Sequence, residues 1–502
     1  MKRLRFRRLL RLALTVMSIV ATGTLLMALA IQFKIHLANE WQQYNPVTSA
    51  QLPKKGDSIL VFAPHSDDET LGCAGMIGTA EKAGANVHVA LITNGDGFRV
   101  AVGRAYKTIK ITPQRCIEFA YKRQKETLRA LSIMGVGPER VTFFGYPDRG
   151  IAKLWDQYWT RDSLYLSRAT GSNHSPYTNA FTWRAPYCGD SLLRDVVRLI
   201  EECRPTDIYL PHPLDNHQDH YATYCFVTAA VEQLMAEHHD LATKIRVHTY
   251  LVHRGDWPVP KGDHSNEPLS PPYALTGGDT KWFSMSLTPE IAERKRRAIK
   301  QYRTQTAVEK GFLMSFARGN EIFGSLPDRT IPLVSHSKIT VDGNPSDWSS
   351  IPPSIVDPVD DYVMAGFNKG GDVRTIYLCR DDKHLYARID YVGHLSKRIS
   401  YTLNLRGISD TDSSQWYTIS IKPKTKTSSV FTPWAYRNNV LETEIPLDAL
   451  NLHEDLFVQV TTKLMKMTVD QTGWHGLEFG DGNKVSKAPI KTSSLPSSKA
   501  VH

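Results

Sequence analysis

The stretch SILVFAPHSDDETLGCAGMIGTAEKA, residues 58–83, decides the architecture. Ser58 to Ala63 is a short, continuously apolar run that suits a buried parallel strand. Glu69 to Ala83 reads as a helix whose Gly72, Ala74, Gly75 and Gly78 allow close packing on a sheet. Downstream the alternation continues: strand Asn86 to Thr93, helix Cys116 to Met134, strand Arg140 to Phe144, helix Leu192 to Cys203. It then runs through strand Asp207 to Leu210, helix Asp219 to Met235 and strand Arg246 to His253. This pattern predicts a Rossmann-like α/β domain, a parallel sheet with helices on both faces. Chemistry in such sheets collects beyond the C-terminal ends of the strands.

Two polar clusters occupy those ends. Pro64-His65-Ser66-Asp67-Asp68-Glu69 leaves the first strand, and PHPLDNHQDH, residues 211–220, leaves the fourth. Acids alone at a helix start complement the helix dipole, and a single histidine is more often structural. Together the clusters hold more than those roles require. A catalytic zinc takes three ligands from His and carboxylate and keeps one position open. A further carboxylate must accept the proton of the attacking water, and an acid must protonate the leaving amine.

These residues resemble the PIG-L/LmbE-like N-acetylglucosaminyl deacetylases over roughly residues 57–325. The family's (A/P)-H-(P/S)-D-D-E signature is met at Pro64 to Glu69, and its H-x-D-H signature at His217 to His220. The resemblance implies His65, Asp68 and His220 as metal ligands and Asp67 as the general base. It implies His217 as oxyanion stabiliser or proton donor, with Asp219 orienting a neighbouring histidine. The implied cofactor is Zn2+, with iron, cobalt or manganese as alternatives for mixed N/O ligands. Thr93-Asn94-Gly95-Asp96-Gly97, Arg123 with Glu126, and Lys295 to Gln305 with Tyr302, Arg318 and Glu321-Ile322-Phe323 resemble further family stretches. Asp96 and the nearby Arg99 are expected to contact substrate.

A segment between Gly150 and Cys188 is rich in aromatics, including Trp155, Tyr158, Trp159, Tyr165, Tyr177, Trp183 and Tyr187. A sugar-binding lid using Trp155 and Trp159 is expected; an aromatic mini-core bracing the insertion accounts for the same residues. From about Ser337 short alternating strands separated by polar turns predict an antiparallel β-sandwich. Its Ile339-x-Val341-Asp342-Gly343 opening, Trp348, His384-Leu385-Tyr386 and Glu444-Ile445-Pro446-Leu447 look like family-9-type carbohydrate-binding modules. Trp416, Trp434 and Trp474 are its candidate sugar platforms.

The formal net charge is +10, but Lys2, Arg3, Arg5, Arg7, Arg8 and Arg11 supply six of those charges. The remaining chain lacks the concentrated basic stripe of a nucleic-acid binder, and neither a Walker loop nor a GxGxxG fingerprint is present. The uncharged run Leu12 to Phe33 then predicts a transmembrane signal anchor with an extracytoplasmic catalytic domain. Secretion after cleavage near Ala28-Leu29-Ala30 is the alternative. The expected layout is basic tail 1–11, anchor 12–33, stalk 34–56, deacetylase domain 57–325, linker 326–336, sandwich 337–484 and disordered tail 485–502. Among the six cysteines only Cys116 with Cys188 is a candidate disulfide. The expected activity is removal of the N-acetyl group from GlcNAc-type sugars or polysaccharides. A non-catalytic glycan-binding protein and hydrolysis of another N-acyl amide are the alternatives.

Overall fold

A computed structural model describes residues 11, 13–26, 29, 32–33, 47–237 and 245–479, apart from 256, 266, 336–337, 363, 408–414, 425–426, 429–431 and 451–454. Eight strands form the first sheet. They are β1 (Thr48–Ser49), β2 (Ser58–Ala63), β3 (Asn86–Thr93), β4 (Val141–Tyr146), β5 (Asp207–Pro211), β6 (Arg246–Tyr250), β7 (Lys281–Ser286) and β8 (Asn320–Ser325). Their spatial order is β1-β7-β8-β6-β5-β2-β3-β4. The chain moves outward through β2, β3 and β4, then returns to place β5 on the other side of β2. The β2/β5 junction is therefore a topological switch point, where the loops leaving both strands open onto one crevice.

β2 to β6 pair in parallel as expected. The sheet as a whole is mixed rather than parallel, because β8 runs antiparallel to both β6 and β7. Glu321 gives the physical reason for that closing strand. Its carboxylate accepts hydrogen bonds from the Gly75 and Met76 amides at 2.7 Å each and from Lys295 Nζ at 2.6 Å. Lys295 Nζ also donates to the Leu71 carbonyl at 2.8 Å. Both side chains are 1% exposed, so this ion pair stays buried with its hydrogen-bonding capacity used.

The helices are α1 (Asp68–Ala83), α2 (Arg99–Ala105), α3 (Pro113–Met134), α4 (Ile151–Asp156), α5 (Gly189–Cys203), α6 (Gln218–Glu237), α7 (Pro289–Ile299) and α8 (Arg303–Met314). The small residues of α1 serve close approach. A Cβ on Gly72 would lie 2.4 Å from Cδ2 of Tyr250 on β6.

Two further sheets follow. One orders β10 (Ile355–Val356), β11 (Val373–Arg380), β12 (His384–Tyr391), β17 (Val440–Pro446) and β16 (Trp434–Arg437). The other contains β15 (Thr427–Ser428), β14 (Gln415–Lys422), β13 (Ile399–Gly407), β18 (Asp455–Leu464), β20 (His475–Phe479) and β9 (Thr330–Ile331), with β19 (Met467–Gln471) pairing β18. Ile376, Leu385 and Ile389 of one sheet share a buried core with Leu403, Ile419 and Val458 of the other. All pairings here are antiparallel except β9 with β20.

Three expectations are overturned. Among the described residues no helix is long and apolar enough to cross a membrane. Residues 13–26 are helical. Thr15, Thr22 and Thr24 turn their hydroxyls back onto backbone carbonyls. The single-pass placement drawn from residues 12–33 falls with it, while the basic tail 1–10, most of the stalk (34–46) and the tail 485–502 lie outside the described residues. Cys116 and Cys188 are free, each buried in a different packing environment. Trp155 and Trp159 are core residues rather than an exposed lid, at 0% and 8% exposure.

Arg406 explains the last correction. It rises from β13 and is fully buried, its guanidinium 3.9 Å from the ring centroids of both Trp155 and Trp159. It also donates to the Trp155 carbonyl. Burial pulls its pKa down to about 9, with Asp156 opposing. Trp474, expected as a sugar platform, is 2% exposed and packs on Trp155 at 6.2 Å. Trp434 stacks on Tyr436 at the sandwich edge, and the Trp416 side chain lies outside the described residues. Replacing Arg406 should therefore loosen the junction of the two domains. Arg406→Ala should cost about 2–4 kcal/mol and Arg406→Lys over half as much, because an ammonium cannot stack between two indoles. Calorimetric unfolding, with hydrogen exchange read over residues 151–159, checks both.

Candidate active site

The first loop is shaped by an unusual backbone. Asp67, ahead of α1, adopts φ 130°, a left-handed value uncommon for a side-chain-bearing residue. Several contacts hold it there. The Asp67 amide donates to Glu69 Oε2 at 3.1 Å, and its carbonyl accepts from the Thr70 and Leu71 amides at 3.0 and 2.8 Å. Arg123 of α3 donates to the carbonyls of Ser66 at 2.5 Å and Gly95 at 3.0 Å, and reaches Asp67 Oδ1 at 3.4 Å. Gly95 has φ +66°, and a Cβ there would sit 1.8 Å from the Arg123 guanidinium. Glu69 is held in turn by the Tyr302 hydroxyl.

The second loop faces the first across the switch point. His220 Nε2 lies 3.0 Å from Asp68 Oδ2, and His220 Nδ1 lies 3.1 Å from Asp215 Oδ2. Asp215 accepts from the amides of His217 at 2.9 Å, Val252 at 3.1 Å and His253 at 2.9 Å. His65 Nδ1 is 3.0 Å from Asp68, while its Nε2 is 3.2 Å from Asp219 and 3.5 Å from Asp148. Asp219 is fixed by the amides of Arg149 at 2.6 Å and Ile151 at 3.1 Å. His217 packs edge-on against His65 at 4.7 Å.

His65, Asp68, His220 and His253 each offer a ligand atom, all within 4.8 Å of one another; His65, His217 and Asp219 form a second such set. The donors fit a divalent metal by more than proximity. Asp68 Oδ1 is buried with no hydrogen-bond partner among the described residues, and the His220 ring nitrogens meet their carboxylates outside hydrogen-bond geometry. Imidazole and carboxylate together suit zinc and other first-row metals.

Electrostatics separates the roles. Burial pushes the Asp67 carboxyl well above its ordinary range, with Arg123 opposing and the charges of Asp68 and Glu69 adding. Burial and the neighbouring histidines pull His217 down to about 3, so it is neutral. His220 rises to about 9 despite burial because Asp215 and Asp68 flank it. Burial and the charge of Asp148 lift Asp96 to about 7, and the Tyr177 hydroxyl donates to it.

All six residues expected as ligands or catalytic groups are thus gathered at one crevice. Asp96 lies buried at its edge, whereas Arg99 is exposed at the start of α2 and Trp155 and Trp159 are in the core. Sequence reasoning passed over Asp148, Asp215 and His253. Each lies at or just beyond the exit of β4, β5 or β6, so the rule that located the two clusters extends to all three. Because Arg123 ties the β2 exit to the Gly95 turn after β3, Arg123→Met should lower stability by about 3 kcal/mol by stripping donors from two buried carbonyls and a carboxylate. Thermal unfolding measures this, and Arg123→Lys should recover less than half.

Residues 60–231 match the family model PIG-L, described as GlcNAc-PI de-N-acetylase. A 1D-myo-inositol 2-acetamido-2-deoxy-alpha-D-glucopyranoside deacetylase of Rhodococcus jostii is 29% identical over 176 residues, covering 35% of this chain and 53% of the relative. Its Rhodococcus opacus counterpart is 28% identical over the same shares. The chain spans about half the length of the curated relatives it matches. Among solved structures, a conserved Thermus thermophilus protein shows 20% identity over 55% of this chain and 97% of that one, with TM-score 0.33. The N,N'-diacetylchitobiose deacetylase of Pyrococcus horikoshii shows 16% identity over 57% and 89%, with TM-score 0.35. The stretch that matches the PIG-L family model, residues 60–231, contains both β2 and β5 and the loops that leave them.

Proposed function

We propose that the chain is a metal-dependent hydrolase that removes the acetyl group from an N-acetylglucosamine-type sugar. The observation that carries this reading is the buried Asp67 carboxyl beside the His65/Asp68/His220 cluster, with neutral His217 across from it. A divalent metal held by His65, Asp68 and His220, with Zn2+ the proposed ion, would polarise the amide carbonyl and lower the pKa of water.

The chain's own groups supply the remainder. Asp67 accepts the proton of the attacking water, and the burial that raises its pKa lets it carry that proton to the leaving amine. The Asp219 amide donates to His217 Nδ1 at 3.2 Å. In the neutral ring the proton therefore sits on Nε2, a hydrogen-bond donor available to the developing oxyanion. Asp215 lies 3.1 Å from His220 Nδ1, placed to orient the ring once a metal holds its other nitrogen. Asp219 does the same for His65. The C–N bond breaks to give acetate and a free amino sugar. Asp96, at the crevice edge, is the proposed substrate contact.

The test is acetate release by the purified chain from a panel of N-acetylated glycans, before and after chelation. Chelation should abolish turnover and Zn2+ should restore it. Asp67→Asn should lower kcat by about 10³-fold with metal content unchanged, and His217→Ala by about 10²-fold. Turnover indifferent to both chelation and Asp67→Asn would overturn the mechanism. Intact metal binding with release only from other N-acyl amides would move the substrate assignment and leave the chemistry in place.

A further inference from the structure

A second cluster of acids lies far from that chemistry in sequence, at the seam between the two domains. Asp357 follows β10, Asp361 lies in the next loop and Asp470 is on β19; one carboxylate oxygen of each lies within 4.8 Å of the others. Asp470 is oriented by the Val373 and Gln471 amides, at 2.7 and 2.8 Å. Asp357 is 2% exposed, and its Oδ2 is buried with no hydrogen-bond partner among the described residues. Both carboxylate oxygens of Asp361 are buried in the same unpartnered state. Three carboxylates withdrawn from water with free lone pairs aimed at one another are costly unless a cation joins them.

Two nearby cations are engaged with other acids. Lys369 pairs with Asp360 and lies 3.5 Å from Asp372, and Arg329 pairs with Asp279 at 2.8 Å. Arg254 lies close enough for its charge to act on Asp361, but Asp357 and Asp470 face each other as well. Repulsion adds to burial in raising all three carboxyls.

We propose that Asp357, Asp361 and Asp470 form a structural site for a hard divalent cation of the Ca2+ class. The donor set is oxygen only, without the imidazole or thiolate that would favour a transition metal. Oxygens spaced up to 4.8 Å apart can be bridged by Ca–O bonds of about 2.4 Å. The site also reaches the active centre. Arg254 Nη2 donates to the Asp361 carbonyl at 2.8 Å, and Arg254 directly follows His253 of the histidine cluster. The Asp279 amide, from the first domain, donates to the Val356 carbonyl at 3.2 Å beside Asp357. A cation here would pin the sandwich loop against that wall. The inference is independent of the proposed deacetylase reaction.

The experiment uses the full chain stripped with EGTA, titrated with Ca2+ and separately with Mg2+, reading calorimetric binding and Tm. One equivalent of Ca2+ should bind and raise Tm by about 5 °C at saturation, with Mg2+ weaker. The shift should disappear in Asp361→Asn and Asp470→Asn and persist in His220→Ala, which separates it from metal at the histidine cluster. Should the Asp→Asn variants fail to fold, Tb3+ emission excited through Tyr362 and displaced by Ca2+ reads the wild-type site directly. Loss of the Ca2+ response in His220→Ala, or its retention in folded Asp361→Asn, overturns the assignment. So does stabilisation on acidification from pH 8 to 6 without any Ca2+ response, which would mean that the carboxylates share protons instead.

Discussion

Carboxylates taken out of water at the β2/β5 switch point set the terms for everything around them. Asp67, Asp68, Glu69, Asp148, Asp215 and Asp219 are all buried, and Asp68, Asp148, Asp215 and Asp219 each face a histidine of the cluster. Such charges survive burial only with donors or cations to meet them. The fold meets them unequally. Asp215 and Asp219 receive backbone amides and a histidine each, and Asp215 is held down near 2. Asp67 receives only a long contact from Arg123, so burial dominates and its carboxyl rises. Adjacent acids on one loop thereby acquire opposite properties: Asp68 is held ionised by His220 and its neighbours, and Asp67 is left able to take up a proton. The division of labour comes from who donates to whom.

The back of the first loop is held with the same economy. Helix α1 begins directly at Asp68, so any rocking of α1 would displace that carboxylate. Lys295 and Glu321 clamp its middle through the Leu71 carbonyl and the Gly75 and Met76 amides. Tyr302 secures Glu69 one residue past Asp68, and Thr304 ties the start of α8 to Glu126 of α3. Residues 295–321 are thus the rear brace of a site whose front lies more than 200 residues earlier.

This division explains what the sequence could and could not disclose. The β2–α1 unit and the β5–α6 unit were legible because each joins an apolar strand to a polar exit and a helix, a local pattern. Lys295, Tyr302 and Glu321 could be marked only by resemblance, since nothing local says that a charged residue in a strand is buried against a helix. β7 and β8 escaped for the same reason. β8 carries Asn320, Glu321 and Gly324, poor strand formers locally. Gly324 is needed because a Cβ would meet Thr249 Oγ1 at 2.6 Å. Asp148 and His253 stand alone beyond their strands, outside any motif, and only the sheet order brings them to the crevice. The N-terminal run misled because an uncharged stretch of 22 residues reads as a membrane span, whereas no helix among the described residues is long and apolar enough to cross one. The aromatic insertion misled because its partner, Arg406, lies some 250 residues away.

That partner ties the sandwich to the candidate site by packing alone, without any need for bound sugar. Helix α4 sits between the two domains. Its first residue, Ile151, donates its amide to Asp219, and the Arg149 amide just before it does likewise. Its fifth residue, Trp155, is gripped by Arg406 from β13 and packs on Phe457 of β18 at 5.5 Å. A rigid helical turn and a half therefore links the sandwich to the carboxylate that orients His65. A second strut, Arg254 against Asp361, runs from the loop that carries His253. With both struts in place, two histidines of the cluster, His65 and His253, take their bearings from the sandwich as well as from the sheet. The domain is built into the site's geometry whether or not it also touches substrate.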